Sequence, residues 1–167
     1  MKKLPIAIQS FKEMRSDDYI YIDKTEHIYN LTQSGKYYFL SRPRRFGKSL
    51  LIDTIHQLFE GREELFEGLF IYNRWDWSRR FPVIHLDFSK QKAESPEELA
   101  EFIYLSMKDI ARENGIEIVA KKYYKAFDEL IKKLSEKNKV VLLIDEYDKP
   151  IIDNIEDVGL AKGMREI

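Results

Sequence analysis

The chain has 167 residues, and its 28 basic and 29 acidic side chains leave a formal net charge of -1, so no polyelectrolyte partner is implied. It has no cysteine, which excludes disulfides and thiolate metal sites and fits a reducing, cytoplasmic setting. Hydrophobic content of 44% suffices for one core, and no run approaches the ~20 apolar residues of a membrane span.

The N-terminal MKKLPIAIQSFKEM imitates a signal peptide only briefly, because Gln9, Lys12 and Glu13 interrupt its apolar stretch. Residues 24–34 (KTEHIYNLTQS) predict a short helix closed by Gly35. The run Tyr37-Tyr38-Phe39-Leu40 is apolar and predicts a buried strand. In 48–60, Leu50, Leu51, Ile55, Leu58 and Phe59 recur at helical spacing, and Gly61 stops the pattern. Residues 82–88 (PVIHLDF) predict a strand with Pro82 at its entry. Ser95-Pro96-Glu97-Glu98 supplies an N-cap, a first-turn proline and a third-position glutamate, opening a helix to about Asn114-Gly115. A second helix is predicted at about 118–137, with Phe127, Leu130, Ile131 and Leu134 on one stripe. In KVVLLIDEYD (139–148), the unalternating VVLLI predicts a strand buried on both faces of a parallel sheet. The terminal GLAKGMREI reads as the middle of a helix. Strands alternating with helices predict an α/β fold with a mainly parallel sheet.

SRPRRFGKSLL (41–51) carries the first chemical motif. Gly47-Lys48-Ser49 ends as a phosphate-binding P-loop ends, but the pattern G-x-x-x-x-G-K-[ST] asks for glycine where this chain has Arg42, followed by Pro43. Its place between a predicted strand and a predicted helix suits the chemistry, since backbone N–H groups at a helix N-terminus receive phosphates. Lys48 would reach the β/γ-phosphates, and the Ser49 hydroxyl would hold Mg²⁺. Arg44 and Arg45 would add guanidinium contacts. The alternative is a chance GKS beside a basic patch.

VVLLIDEYD is the second motif, a Walker B arrangement at the end of a strand. Asp145 would serve the metal, and Glu146 would orient the attacking water. Ligands of open α/β sheets bind at strand C-terminal ends, where both motifs fall. A solvated acidic turn is the alternative for 145–148. The two motifs in this order favour a nucleotide site.

Together, RPRRFGKSLL, YIDKT (21–25), PVIHLDFS (82–89) and VVLLIDEYDKPI (140–151) resemble the AAA-ATPase-like family of bacteria and archaea. That family is a group of P-loop NTPases related to AAA+ and signal-transduction ATPases. The resemblance runs from about Tyr19 to the last residue. RPRRFGKS is the usual family form, which implies a variant P-loop. The resemblance also implies a P-loop NTPase-type three-layer sandwich. Residues 1–167 would be the N-terminal part of that domain, with 1–36 a pre-P-loop segment and 37–167 the core. ATP and Mg²⁺ are the implied cofactors. Arg44, Arg45, Phe46, Gly47, Lys48, Ser49 and Leu50 are the implied nucleotide-binding residues. Glu146 and Lys48 are the implied catalytic residues, and Ser49 and Asp145 the implied metal ligands. In the family a sensor strand inserts between the P-loop and Walker B strands. It is expected beyond Ile167 with any arginine finger, leaving a sheet incomplete at its C-terminal side and a fragment poorly soluble and weakly active alone. Members often continue into a domain resembling PD-(D/E)xK nucleases, so such a domain in the parent chain, or a protein partner, is admitted. No (D/E)-x-K pattern falls on a plausible strand here.

Other groupings are weaker. Tyr21, Asp23 and Lys24 of YIDKT would frame the adenine; alternatively Asp23 or Thr25 caps a helix. Trp75 and Trp77 would stack on a base, or anchor a loop on the core, which their setting favours. His27, His56 and His85 have no metal-ligand spacing. KKYYK (121–125) reads as a solvated helix face before it reads as a nucleic-acid contact. The favoured function is a Mg²⁺-dependent ATPase acting as a conformational switch or motor. The alternatives are a nucleotide-sensing module with little turnover and a nucleic-acid-dependent ATPase. Glu146 favours the first over the second, and the lack of a long basic stripe speaks against the third.

Overall fold

The computed structural model describes residues 3–43, 45–90 and 92–167. The chain divides into two compact units, Met1–Phe81 and Pro82–Ile167.

In the first unit, α1 (Phe11–Ser16) is capped by Ser10, whose Oγ accepts the Glu13 N–H at 3.2 Å. This serine cap opens a helix in the stretch that imitates a signal peptide in the sequence. Helices α2 (Thr25–Ser34) and α3 (Lys48–Phe59) follow as expected. A 3₁₀ turn (Glu63–Phe66) leads into a loop closed by the bond from Phe81 N–H to the Phe59 carbonyl at 2.8 Å. Phe11, Ile28, Leu58, Phe66 and Ile71 form the core, each at most 1% exposed. Full burial of each is worth roughly 1.5–3 kcal/mol relative to exposure. Trp75 and Trp77 pack on this core, and the Trp77 indole N–H donates to the Tyr72 carbonyl at 2.7 Å, so both anchor the loop.

Residues 37–40 form no strand. Tyr37 is 95% exposed and Phe39 74%. A strand needs another strand to pair its backbone groups, and among the described residues the sheet consists of two strands from the second unit, without this run.

The second unit holds a two-stranded parallel sheet, β1 (Val83–Asp87) beside β2 (Val141–Asp145). Between them run α4 (Pro96–Glu113) and α5 (Tyr123–Ser135). The register pairs Ile84 with Leu142 and Leu86 with Ile144. Ile84 and Leu86 are buried among Met107, Ala111, Leu130 and Leu134, whereas Leu142 and Ile144 are 42% and 44% exposed. The helix layer thus covers β1 and leaves β2 half open, and the expectation of a strand buried on both faces is corrected. Among the described residues β2 pairs with β1 alone.

Helix α4 starts as its sequence demands: Ser95 accepts the Glu98 N–H at 3.1 Å, and Pro96 takes the first position. Helix α5 begins five residues later than expected. Its own Glu129 accepts the N–H groups of Val119 and Ala120, and Lys133 donates to the Glu117 carbonyl at 2.6 Å. Side chains therefore satisfy the Glu117 carbonyl and the Val119 and Ala120 N–H groups, where a helical turn would have done so. After β2 come α6 (Lys149–Ile152) and α7 (Val158–Arg165). Gly163 lets α7 approach α4: a Cβ there would lie 2.7 Å from Pro96 Cγ. No helix of the described residues is long and apolar enough to cross a membrane.

Candidate functional site

In the first unit the loop before α3 is exposed and irregular. Of the implied phosphate-binding residues, Arg44 lies outside the described residues. Gly47 caps α3 at φ 74° and ψ 26°, a left-handed conformation open to glycine at little cost. Arg45 is also left-handed, at φ 67°, which costs an L-residue about 1–2 kcal/mol. Backbone strain of this kind concentrates where chains bind ligands. Phe46 stands 61% exposed between them.

Helix α3 opens at Lys48, and its first full bond runs from Leu51 N–H to the Gly47 carbonyl at 3.0 Å. Its first turn contains no acidic residue, and no side chain caps it. That end keeps free the positive pole which favours an anion. The Lys48 ammonium turns back over the loop and donates to the Arg42 carbonyl at 2.8 Å. Ser49 is half-buried in the first turn. Leu50 packs its side chain on the core and offers only backbone to a ligand.

YIDKT lies in this unit too. Asp23 accepts from the Thr25 N–H at 2.8 Å, the Thr25 hydroxyl at 2.7 Å and the Phe70 N–H at 2.7 Å. Burial pushes the Asp23 carboxyl up, but these hydrogen bonds outweigh it and hold its pKa below the usual carboxylate range. Thr25, fully buried, accepts the Ile71 N–H at 3.2 Å. The motif thus clasps the entry of α2 to the backbone of residues 70 and 71, although neither Asp23 nor Thr25 is the residue that caps the helix. Lys24 is the N-cap residue of α2 and is exposed.

In the second unit Asp145 ends β2 and is 5% exposed, a buried carboxylate at the C-terminal edge of the sheet. Its Oδ1 accepts the Glu146 N–H at 3.0 Å. Glu146 is half-buried and left-handed, at φ 51°. That kink turns the chain off the strand directly at the proposed water-orienting residue. The Glu146 carbonyl accepts the Lys149 N–H at 2.9 Å, so the turn leads straight into α6.

One candidate was missed. Asp87 ends β1 and pairs in register with Asp145, so two neighbouring strands each finish in an aspartate at the same edge. Its Oδ1 accepts the Ser89 N–H at 2.9 Å. The signal was legible in PVIHLD and VLLID, two apolar runs ending alike.

A family model described as "Predicted AAA-ATPase" matches residues 5–167. A protein of Azotobacter chroococcum mcd 1, described as "Uncharacterized protein in vnfD 5'region", is 44% identical over 172 residues. That match covers 99% of this chain and 33% of the relative, so the chain spans about one third of the relative's length. No solved structure matches the chain. With nearly every residue inside the family model, the chain belongs to the AAA-ATPase-like family.

Proposed function

We propose that this chain binds ATP with Mg²⁺ and hydrolyses it, as part of a P-loop ATPase that works as a conformational switch or motor. The observation that supports this best is the start of α3. A left-handed Gly47 delivers an uncapped helix N-terminus, and Lys48 is held over the loop by a carbonyl that a phosphate can replace. The first-turn N–H groups receive phosphate oxygens, and Lys48 exchanges Arg42 for the β/γ-phosphates. Arg45 adds a guanidinium at the mouth of the loop, beside Phe46.

The donor chemistry fits Mg²⁺. A serine hydroxyl and a buried carboxylate are the hard oxygen donors it takes, so Ser49 and Asp145 are the residues that would hold it. When bound, the ion supplies charge neutralisation at the phosphates. Glu146 then orients the attacking water and accepts its proton. A parallel strand pair ending in Asp87 and Asp145 supports the wider reading of a three-layer P-loop sandwich.

The test is calorimetric titration of the full-length protein with Mg-ATP and Mg-GTP, followed by phosphate release with and without DNA. Mg-dependent binding with turnover is expected. Binding without turnover would favour the sensing module, and strong stimulation by DNA the nucleic-acid-dependent ATPase. No nucleotide binding at all would remove the reading.

A further inference from the structure

Helix α7 has two working faces. Leu160, Gly163 and Met164 turn towards α4, where Met164 is buried and Gly163 lies against Pro96. The other face carries Val158, Ala161, Lys162 and Arg165, which stand at i, i+3, i+4 and i+7 and so form one stripe. Together with Ile151 of α6 and Ile155 of the connecting loop, this stripe lines a groove of about 330 Å³. Buried Ala161 and half-buried Ile151 are its deepest residues. Ile155 and Val158 edge it at 66% and 80% exposure. Single exposed aliphatic side chains are ordinary, but aliphatic edges on either side of one cleft mark a contact surface.

Charge narrows what fits. Both charged side chains that line the groove are cations, Lys162 and Arg165, and neither is in an ion pair among the described residues. Nearby carboxylates do not neutralise them. Asp153 pairs with Lys149, and Asp157 caps α7 by accepting the Leu160 N–H at 2.9 Å. Glu156 and Glu166 are exposed and do not line the groove. An apolar cleft with a cationic side is complementary to an apolar segment that carries carboxylates. A bilayer surface is planar and cannot enter a concave groove, whereas an amphipathic helix can lay its i, i+3, i+4 and i+7 anchors into one.

We propose that the α6–α7 groove is a docking site for an acidic amphipathic helix of a protein partner. Its aliphatic anchors would pack on Ile151, Ile155, Val158 and Ala161, and its carboxylates would pair with Lys162 and Arg165. The site lies wholly within the second unit, so it does not depend on the nucleotide reading of the GKS loop.

The test uses the full-length protein and two labelled helical peptides of about 14 residues, with leucine at i, i+4 and i+7 and either glutamate or lysine on the flanks. Fluorescence anisotropy should show saturable binding of the glutamate peptide and about tenfold weaker binding, or less, of the lysine peptide. Lys162→Glu combined with Arg165→Glu should invert that preference, a result that misfolding cannot imitate. Val158→Ser, at an exposed position, should weaken the glutamate peptide about three- to tenfold, the scale of the aliphatic burial lost, at a nearly unchanged unfolding midpoint. Absence of binding by either peptide would overturn the proposal, as would a preference that the double charge reversal leaves in place. Binding to anionic vesicles that Val158→Ser abolishes would make the face a membrane contact and overturn it. A dimer in sedimentation that the same substitution dissociates would make the face a contact between copies, and also overturn it.

Discussion

The ammonium group of Lys48 donates a hydrogen bond to the carbonyl oxygen of Arg42, 2.8 Å away across its own loop. The loop therefore holds its lysine ready on a neutral acceptor. A phosphate oxygen is a stronger acceptor, since hydrogen bonds to charged groups are worth about 1.5–3 kcal/mol against about 0.5–1.5 kcal/mol for neutral ones. Lys48→Ala should weaken Mg-ATP binding about tenfold or more while the domain stays folded. Unchanged affinity by calorimetry would exclude the phosphate role.

Asp145 and Glu146 are adjacent but differently housed, one buried at the strand end and the other in a left-handed turn. Their tasks should separate. Glu146→Gln should keep nucleotide binding and lose hydrolysis, because the amide still fits the turn but accepts no proton from water. Asp145→Asn should impair Mg²⁺-dependent binding itself. Turnover at the normal rate in Glu146→Gln would move the water-orienting task elsewhere.

Arg45 tests whether its strain serves binding. At φ 67° it carries a left-handed cost of about 1–2 kcal/mol. Arg45→Gly removes that cost but adds chain entropy to the unfolded state, about 0.5–1 kcal/mol the other way. Stability should hold or rise slightly, while nucleotide affinity falls with the lost guanidinium. A lower unfolding midpoint at full affinity would mean that the arginine supports the fold and not the ligand.

Glu129 gives a pH signature. The Lys133 ammonium and the N–H groups of Ala120 and Val119 hold its carboxyl at about 2, well below the ordinary 4.5. A pKa depressed in the folded state stabilises fully above the unfolded value and loses that contribution as pH falls towards the folded value. Glu129→Gln should therefore lower the unfolding midpoint near neutral pH. The gap to the unmodified protein should close as pH drops from about 4.5 to 2. A gap independent of pH would show that packing, not charge, holds residues 117–120 to α5.

Legibility followed the locality of the interactions. Helix α4 was readable to within a residue because its start is written in Ser95, Pro96 and Glu98, all within one turn. The GKS helix was readable because Gly47 and the apolar spacing of 50–59 are local too. Where partners lie far along the chain, the reading failed. Tyr37 to Leu40 look like a strand, but strand formation depends on a neighbour that four residues do not specify. The exposure of Leu142 and Ile144 depends on how far α4 and α5 reach across the sheet. The left-handed Arg45 and Glu146 carry no mark in sequence, since neither residue type announces a positive φ. Asp87 is marked in the sequence by the run it ends, but its place beside Asp145 is set by the register between two distant segments.

Thr25 separates the two readings of YIDKT. Its hydroxyl is fully buried, donates to Asp23 at 2.7 Å and accepts the Ile71 N–H at 3.2 Å. Thr25→Val keeps the shape and deletes both bonds, leaving a buried N–H without its acceptor. That should cost about 1–3 kcal/mol of stability, read as a lower urea midpoint at an unchanged slope. Lys24 is exposed beside it, so Lys24→Ala should leave stability nearly untouched. If the motif is a clasp, Lys24→Ala should also leave Mg-ATP affinity in place. If Lys24→Ala weakens binding severalfold while Thr25→Val leaves the midpoint unmoved, the motif contacts the nucleotide, and its hydrogen bonds to residues 70 and 71 contribute little to the fold.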